Sequence, residues 1–190
     1  MAIYNGHMND LSLLAPQVGV NERTLRRAFN EGTIRGIRLS PRRLKLPVAE
    51  KEYLLDHWAL LSHLRQVLRT EPNIRFAVLF GSTARGDDTE ESDVDLLVDA
   101  RTPAAFDPFH LAVKAEDALG RKVDVIALGN AHSSPLFLAE AAREGRVIVD
   151  RENRWPGFSG ERKRFERRAQ AQDRARMRRV FGDTPKRATT

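Results

Sequence analysis

Asp93 and Asp95 stand two residues apart in the run Ser92-Asp93-Val94-Asp95-Leu96-Leu97-Val98. In a strand over Asp93–Asp99, Val94, Leu96 and Val98 share one face, and Asp93, Asp95 and Leu97 share the other. Carboxylates at i and i+2 are about 7 Å apart at their backbones. Their side chains can therefore converge on one cation, and they repel each other without it. Such a pair suits a hard, oxygen-preferring ion like Mg²⁺, whose shell is usually completed by substrate phosphates. Upstream, the apolar run Ile74–Phe80 ends abruptly at Gly81-Ser82. A glycine at that turn lets another group approach the backbone, and the serine hydroxyl and following N–H groups can take phosphate oxygens. A phosphate-cradling turn beside an acidic strand describes a phosphoryl or nucleotidyl transfer site. A further acid, Asp124, lies within Val123-Asp124-Val125-Ile126. It is expensive to bury there without a partner, unless it sits exposed on an edge strand.

The elements that must hold these groups read as strand 74–80, strand 93–99 and a helix from about Ala105 to Leu119, stopped by Gly120. Strand Lys122–Leu128, helix Pro135–Glu144 and a short strand Arg146–Val149 follow. Asp87, Asp88, Glu90 and Glu91, in the loop before Asp93, read as solvated charge. From Ala49 to about Arg69, Leu54, Trp58, Leu61, Leu64 and Leu68 form the stripe of a long helix, which Thr70-Glu71-Pro72-Asn73 ends.

Gly81-Ser82, ten intervening residues and Asp93-Val94-Asp95, with Ala84-Arg85-Gly86, resemble the signature of the DNA polymerase β-like nucleotidyltransferases, especially their minimal bacterial group. The resemblance runs from Ile74 to Asp150. It implies an α+β fold with a small mixed sheet flanked by helices, and Asp124 as a third metal-facing carboxylate. Asp93, Asp95 and Asp124 would then be catalytic and would hold Mg²⁺, two ions in all. Gly81 and Ser82 would cradle the phosphates of ATP or another nucleoside triphosphate, and Arg85 would neutralise charge on the departing pyrophosphate. AMP from ATP is the group expected to move. Members of this group are often encoded beside HEPN toxins and neutralise them by adding AMP to tyrosine. The resemblance therefore implies an antitoxin with a HEPN-type partner. Two alternatives are a toxin that modifies tRNA and a transcriptional regulator whose nucleotide site has become a sensor.

In front of this core, Leu11, Leu13, Leu14 and Val18 give helical spacing over Asp10–Gly19, and Asn21 can cap a second helix, Glu22–Asn30. Arg23, Arg26, Arg27 and Asn30 lie on the outward surface of that helix. Ile34–Leu39 and Leu44–Leu46 flank Ser40-Pro41-Arg42-Arg43 and read as a hairpin or wing with a basic tip. Helix, turn, helix and wing match a DNA-binding module, in which these four residues with Arg42 and Arg43 would contact DNA. The expected organisation is a winged-helix-like helix-turn-helix domain over 1–48 and a connecting helix over 49–72. The nucleotidyltransferase domain would span 73–150, and a basic tail, partly helical or disordered, 151–190. Trp155–Gly160 reads as a linker-like break, Glu161 to about Val180 as an arginine-dense stretch, and Asp183–Thr190 as frayed.

The formal net charge of +6 divides into +5 over residues 1–70, −7 over 71–150 and +8 over 151–190. An acidic middle between basic ends suits a metal-binding core with appendages that face nucleic acid or an acidic partner. The chain has no cysteine, which excludes disulfides and thiolate zinc sites. No apolar run reaches membrane-spanning length, so a cytoplasmic protein without a membrane partner is expected.

Overall fold

The computed structural model describes residues 9–181 apart from Arg42 and Ser133. The mixed sheet expected for the middle of the chain is present, in the order β5-β4-β3-β6. Its strands are β3 (Ile74–Phe80), β4 (Val94–Ala100), β5 (Val123–Ala127) and β6 (Arg146–Asp150). β4 and β5 are parallel, joined over one face by helix α5 (Pro108–Leu119), while β3 runs antiparallel to both β4 and β6. The parallel pair needs that crossover helix, and Asp107 starts it by accepting the N–H groups of Phe109 and His110. Pro108 at the first helical position fits the same start, which is why the helix begins later than its apolar spacing suggests.

Alternation along the strands decides what covers each face. Val94, Leu96 and Val98 join Leu54, Leu61, Leu64 and Leu68 of α3 (Val48–Arg69) and Leu111 and Ala115 of α5 in one core. Phe76, Val78, Phe80 and Leu97 point the other way. There they meet Leu138, Ala141 and Ala142 of α7 (Pro135–Glu144), which follows the short α6 (Leu128–Ala131). The stripe on α3 is buried as expected, Trp58 included.

The chain after the sheet departs from the sequence expectation. Trp155–Gly160 is a short helix, α8, rather than a linker. Trp155 and Phe158 pack on Phe76, and Phe158 also meets Phe165 at 5.4 Å between ring centroids. Phe165 lies in the first turn of a long helix, α9 (Arg162–Phe181), whose Phe165 and Ala169 are buried and whose residues 170–178 are exposed. The tail is therefore helical, and aromatic burial fastens its first half to the sheet. Residues 182–190, expected to fray, lie outside the described residues.

The N-terminal helices are α1 (Asp10–Leu14) and α2 (Glu22–Asn30), and Asn21 caps α2 by accepting Thr24 N–H at 2.9 Å. α1 is shorter than its apolar spacing suggests, because Pro16 has no N–H to continue the ladder. The hairpin is short as well, with β1 (Ile37–Arg38) antiparallel to β2 (Leu44–Lys45). Leu11, Leu14, Leu25 and Ala28 belong to the same core as α3 and the sheet. Among the described residues no helix is long and apolar enough to cross a membrane.

Candidate active site

The alternation that buries Val94, Leu96 and Val98 leaves Asp95 on the α7 side of the sheet, near one end of β4. On the neighbouring parallel strand, Val123 and Val125 turn to the α5 side and Asp124 turns with Asp95. Asp95 and Asp124 are direct register partners, so their backbones lie about 4.8 Å apart. Asp93 immediately precedes β4. Its carbonyl accepts the Thr83 hydroxyl at 3.3 Å, and the Thr83 carbonyl in turn accepts Tyr53 Oη at 3.0 Å. Neither tie carries a sequence signature.

On the other side of Asp95, β3 ends at Phe80, its register partner, and the chain turns into the five-residue helix α4 (Gly81–Arg85). Gly81 has φ +74°, and a Cβ there would run into the Asp95 carboxylate. Glycine is thus required both by the backbone and by the close approach of the acid. Gly86, at φ +88°, closes α4, and a Cβ on it would press the Tyr53 ring.

The electrostatics of this corner are lopsided. Burial pushes the Asp95 carboxyl up to about 6, and the neighbouring Asp124, Asp93 and Glu140 carboxylates push in the same direction. Lys122 opposes them. Its ammonium lies 2.6 Å from Asp93 Oδ2 and 3.6 Å from Asp124 Oδ1, between two of the predicted catalytic acids. Sequence reasoning missed both Lys122 and Glu140. Lys122 could have been found from its place next to the β5 acid. Glu140, from α7, has no local signal.

The donor set is wholly carboxylate oxygen with an excess of negative charge, which fits Mg²⁺. Among the described residues no three acidic or histidine side chains are already gathered as a cage. Arg85, predicted to meet the nucleotide, is held by Glu144 at 2.5 Å and Asp87 at 3.1 Å. Asp88 corrects an expectation. Its side chain is 5 % exposed rather than solvated, gripped by His57 Nε2 and Arg121 Nη1, each at 2.8 Å. Arg121 also donates to the Thr89 and Ser92 carbonyls, so this clamp fixes the loop that delivers Asp93.

The profile of the family described as "Polymerase beta, Nucleotidyltransferase" matches residues 62–154, which contain all of these acids and α4. A Methanocaldococcus jannaschii chain named "Putative protein adenylyltransferase" is 34 % identical over 102 residues, 52 % of this chain and 93 % of that one. The chain belongs to the polymerase β-type nucleotidyltransferase family. It is a nucleotidyltransferase. A second chain of the same name and organism is 35 % identical over 91 residues, 47 % of this chain and 91 % of its own. Among solved structures, one described as a toxin–antitoxin with AMP-PNP aligns with TM-score 0.53 at 24 % identity, covering 64 % of this chain and 98 % of that one. A complex of tri-AMPylated Shewanella oneidensis HEPN toxin with MNT antitoxin aligns with TM-score 0.51 at 22 % identity, covering 66 % and 99 %. At these identities the alignments establish the shared nucleotidyltransferase fold.

The residues predicted to meet DNA are dispersed in their commitments. Arg26 pairs with Glu22, Arg27 with Glu31 at 2.6 Å, and Asn30 accepts from Arg38. Arg23 and Arg43 are exposed, and Arg42 lies outside the described residues.

Proposed function

We propose that this nucleotidyltransferase moves AMP from ATP to a hydroxyl of a macromolecular acceptor. Its role would be that of the antitoxin of a toxin–antitoxin pair, with a HEPN-type protein as acceptor. The observation that carries the transfer chemistry is the in-register pair Asp95 and Asp124, with Gly81 packed against the Asp95 carboxylate. The choice of AMP and of a protein acceptor is supported by the adenylyltransferase names of the relatives and by the AMPylated toxin in a structural neighbour's complex.

In the reaction, an acceptor oxygen attacks the α-phosphorus, a new P–O bond forms, and the bond to the β-phosphate breaks as pyrophosphate leaves. Asp93, Asp95 and Asp124 would hold Mg²⁺, which supplies neutralising charge and alignment of the triphosphate. Asp124, whose side chain is half exposed, would take the acceptor's proton. Gly81 presents backbone without a side chain, Ser82 would offer its hydroxyl to the phosphates, and Arg85 would neutralise the departing charge on leaving its Glu144 and Asp87 partners. The N-terminal module would hold operator DNA through α2 and the basic hairpin tip, with the exposed Arg23 and Arg43 among the contacts.

The test is incubation of the purified chain with Mg²⁺ and α-labelled ATP together with candidate protein and RNA acceptors. Label on protein that disappears with Asp95→Asn supports the reading. Label confined to RNA transfers the assignment to an RNA-modifying enzyme, and no label on either refutes transfer. For DNA, mobility shifts at rising salt should lose affinity and slope when Arg23 and Arg43 become Gln.

A further inference from the structure

The far end of the sheet carries a second cluster of like charge, of the opposite sign. Asp150, near the end of β6, pairs with Phe76 near the start of β3, whereas Asp95 pairs with Phe80 at the other end. Beside that far end, α2 and the C-terminal half of α3 enclose a cavity of about 260 Å³. Arg27, Arg65 and Arg69 line it, with Thr24, Ser62 and Gln66 adding hydroxyl and amide groups. A neighbouring hollow of about 150 Å³ shares the same arginines and reaches β6.

The negative charge available is too small for this set. Glu31 pairs with Arg27 at 2.6 Å and reaches Arg65 at 3.3 Å. The second hollow adds Asp150 and Arg151, whose opposite charges cancel, and the Asp150 oxygens accept the N–H groups of Arg154 and Trp155 at 2.8 and 2.9 Å. Arg69 has no side-chain partner among the described residues. Arg65 is 8 % exposed. Its pKa is pushed down by burial, with the Arg69 and Arg27 charges adding to that and only Glu31 opposing it. Guanidinium stays protonated under such pressure, and Arg65, which also donates to the Thr33 hydroxyl at 2.5 Å, shares its one acidic partner, Glu31, with Arg27. Trp58, in the same wall, has a buried indole N–H without a partner.

We propose that this cavity is a phosphate-binding site, separate from the catalytic acids, that takes the phosphate group of a phosphorylated ligand. Guanidinium forks match phosphate geometry, and either a monoester dianion or successive monoanionic diesters of a nucleic-acid backbone supply the negative charge that Glu31 leaves uncovered. The phosphate comes either from a small ester or from a nucleic-acid backbone, since Thr24 and Arg27 belong to the helix assigned to DNA. The site does not rest on the transfer reaction.

Isothermal titration of the full chain, without divalent ions, with inorganic phosphate, adenosine monophosphate and a short DNA duplex tests the proposal. Binding should weaken about tenfold in Arg69→Gln, and Asp95→Asn should leave it unchanged. Arg69→Gln should keep full transferase activity. Gln66→Glu, a charge placed on the same exposed wall, should abolish binding and gives a second readout should Arg69→Gln fold poorly. Adenosine monophosphate binding tighter than phosphate identifies a small ester as the source. Duplex binding that depends on Arg69, with no gain for the monophosphate, identifies nucleic acid. No binding by any of the three probes, or equal affinity in the wild type and both charge variants, overturns the site.

Discussion

Two clusters of charge within one fold are built in opposite ways. At the seam between the N-terminal module, α3 and the sheet, Arg146 is 1 % exposed and Glu50 is 5 % exposed. Their two-pronged pair spans 2.6 and 2.9 Å. Arg146 also donates to the carbonyls of Ala84 and Thr33 and lies 3.4 Å from the centre of the Tyr53 ring. Glu50 accepts the Arg35 N–H as well, at 2.8 Å. Nearly every polar atom there is occupied, and the Tyr53 hydroxyl, pushed up to about 12 mainly by burial, stays a donor to Thr83. At the acidic corner, the Asp124, Asp93 and Glu140 carboxylates all act on Asp95, with Lys122 as the counter-charge. A satisfied cluster specifies architecture. An unsatisfied one is a binding site whose missing partner is legible from the sign of the excess. The two are joined, because Arg146 and Tyr53 hold the carbonyls of α4, the helix that begins at Gly81.

Breaking each cluster should therefore give opposite results. Asp95→Asn should cut AMP transfer by about a thousandfold or more, equivalent to about 4 kcal/mol of barrier, measured as initial rates of label incorporation. Glu50→Ala should cost about 3–5 kcal/mol of folding stability by stranding a buried guanidinium, read from denaturant melts. The same Asp95→Asn change should stabilise the chain at pH 7 without divalent ions, raising Tm by about 2–4 °C. Its sign follows from the raised carboxyl. An acid whose folded pKa is near 6 destabilises the fold once ionised, so the gain is complete above about pH 6 and vanishes as pH falls below the unfolded value near 4. Melts of the variant and wild type across pH 3.5–8 check it, and a gain that grows toward low pH contradicts the electrostatic origin. The smallest effect expected is that of Lys122→Met. With the ammonium gone from Asp93 and Asp124, Mg²⁺ should bind more tightly, while the ion-free chain becomes slightly less stable.

Much of this was legible because local periodicity and turn chemistry agree with the final packing. Strand 74–80 and helix Pro135–Glu144 coincide with their sequence readings, and the alternation around Asp95 and Asp124 put both acids on one face. What escaped detection depends on partners distant in the chain. Trp155-Pro156-Gly157-Phe158 has the composition of a break, yet its aromatics find Phe76 from another strand. Asp88 reads as one more loop acid until His57 and Arg121, 31 and 33 residues away, enclose it. Glu140 enters the site only because α7 crosses that face of the sheet. The first helix fell short because its apolar spacing continued past Pro16, where the hydrogen-bond ladder could not.

The most direct test of the acidic corner is electron paramagnetic resonance of Mn²⁺, as a Mg²⁺ substitute, titrated into the chain with ATP present. Wild-type protein should bind the ion, and Asp95→Asn and Asp124→Asn should each weaken that binding at least about tenfold. Equal Mn²⁺ affinity in all three proteins would contradict the assignment of these carboxylates to a metal-assisted transfer site.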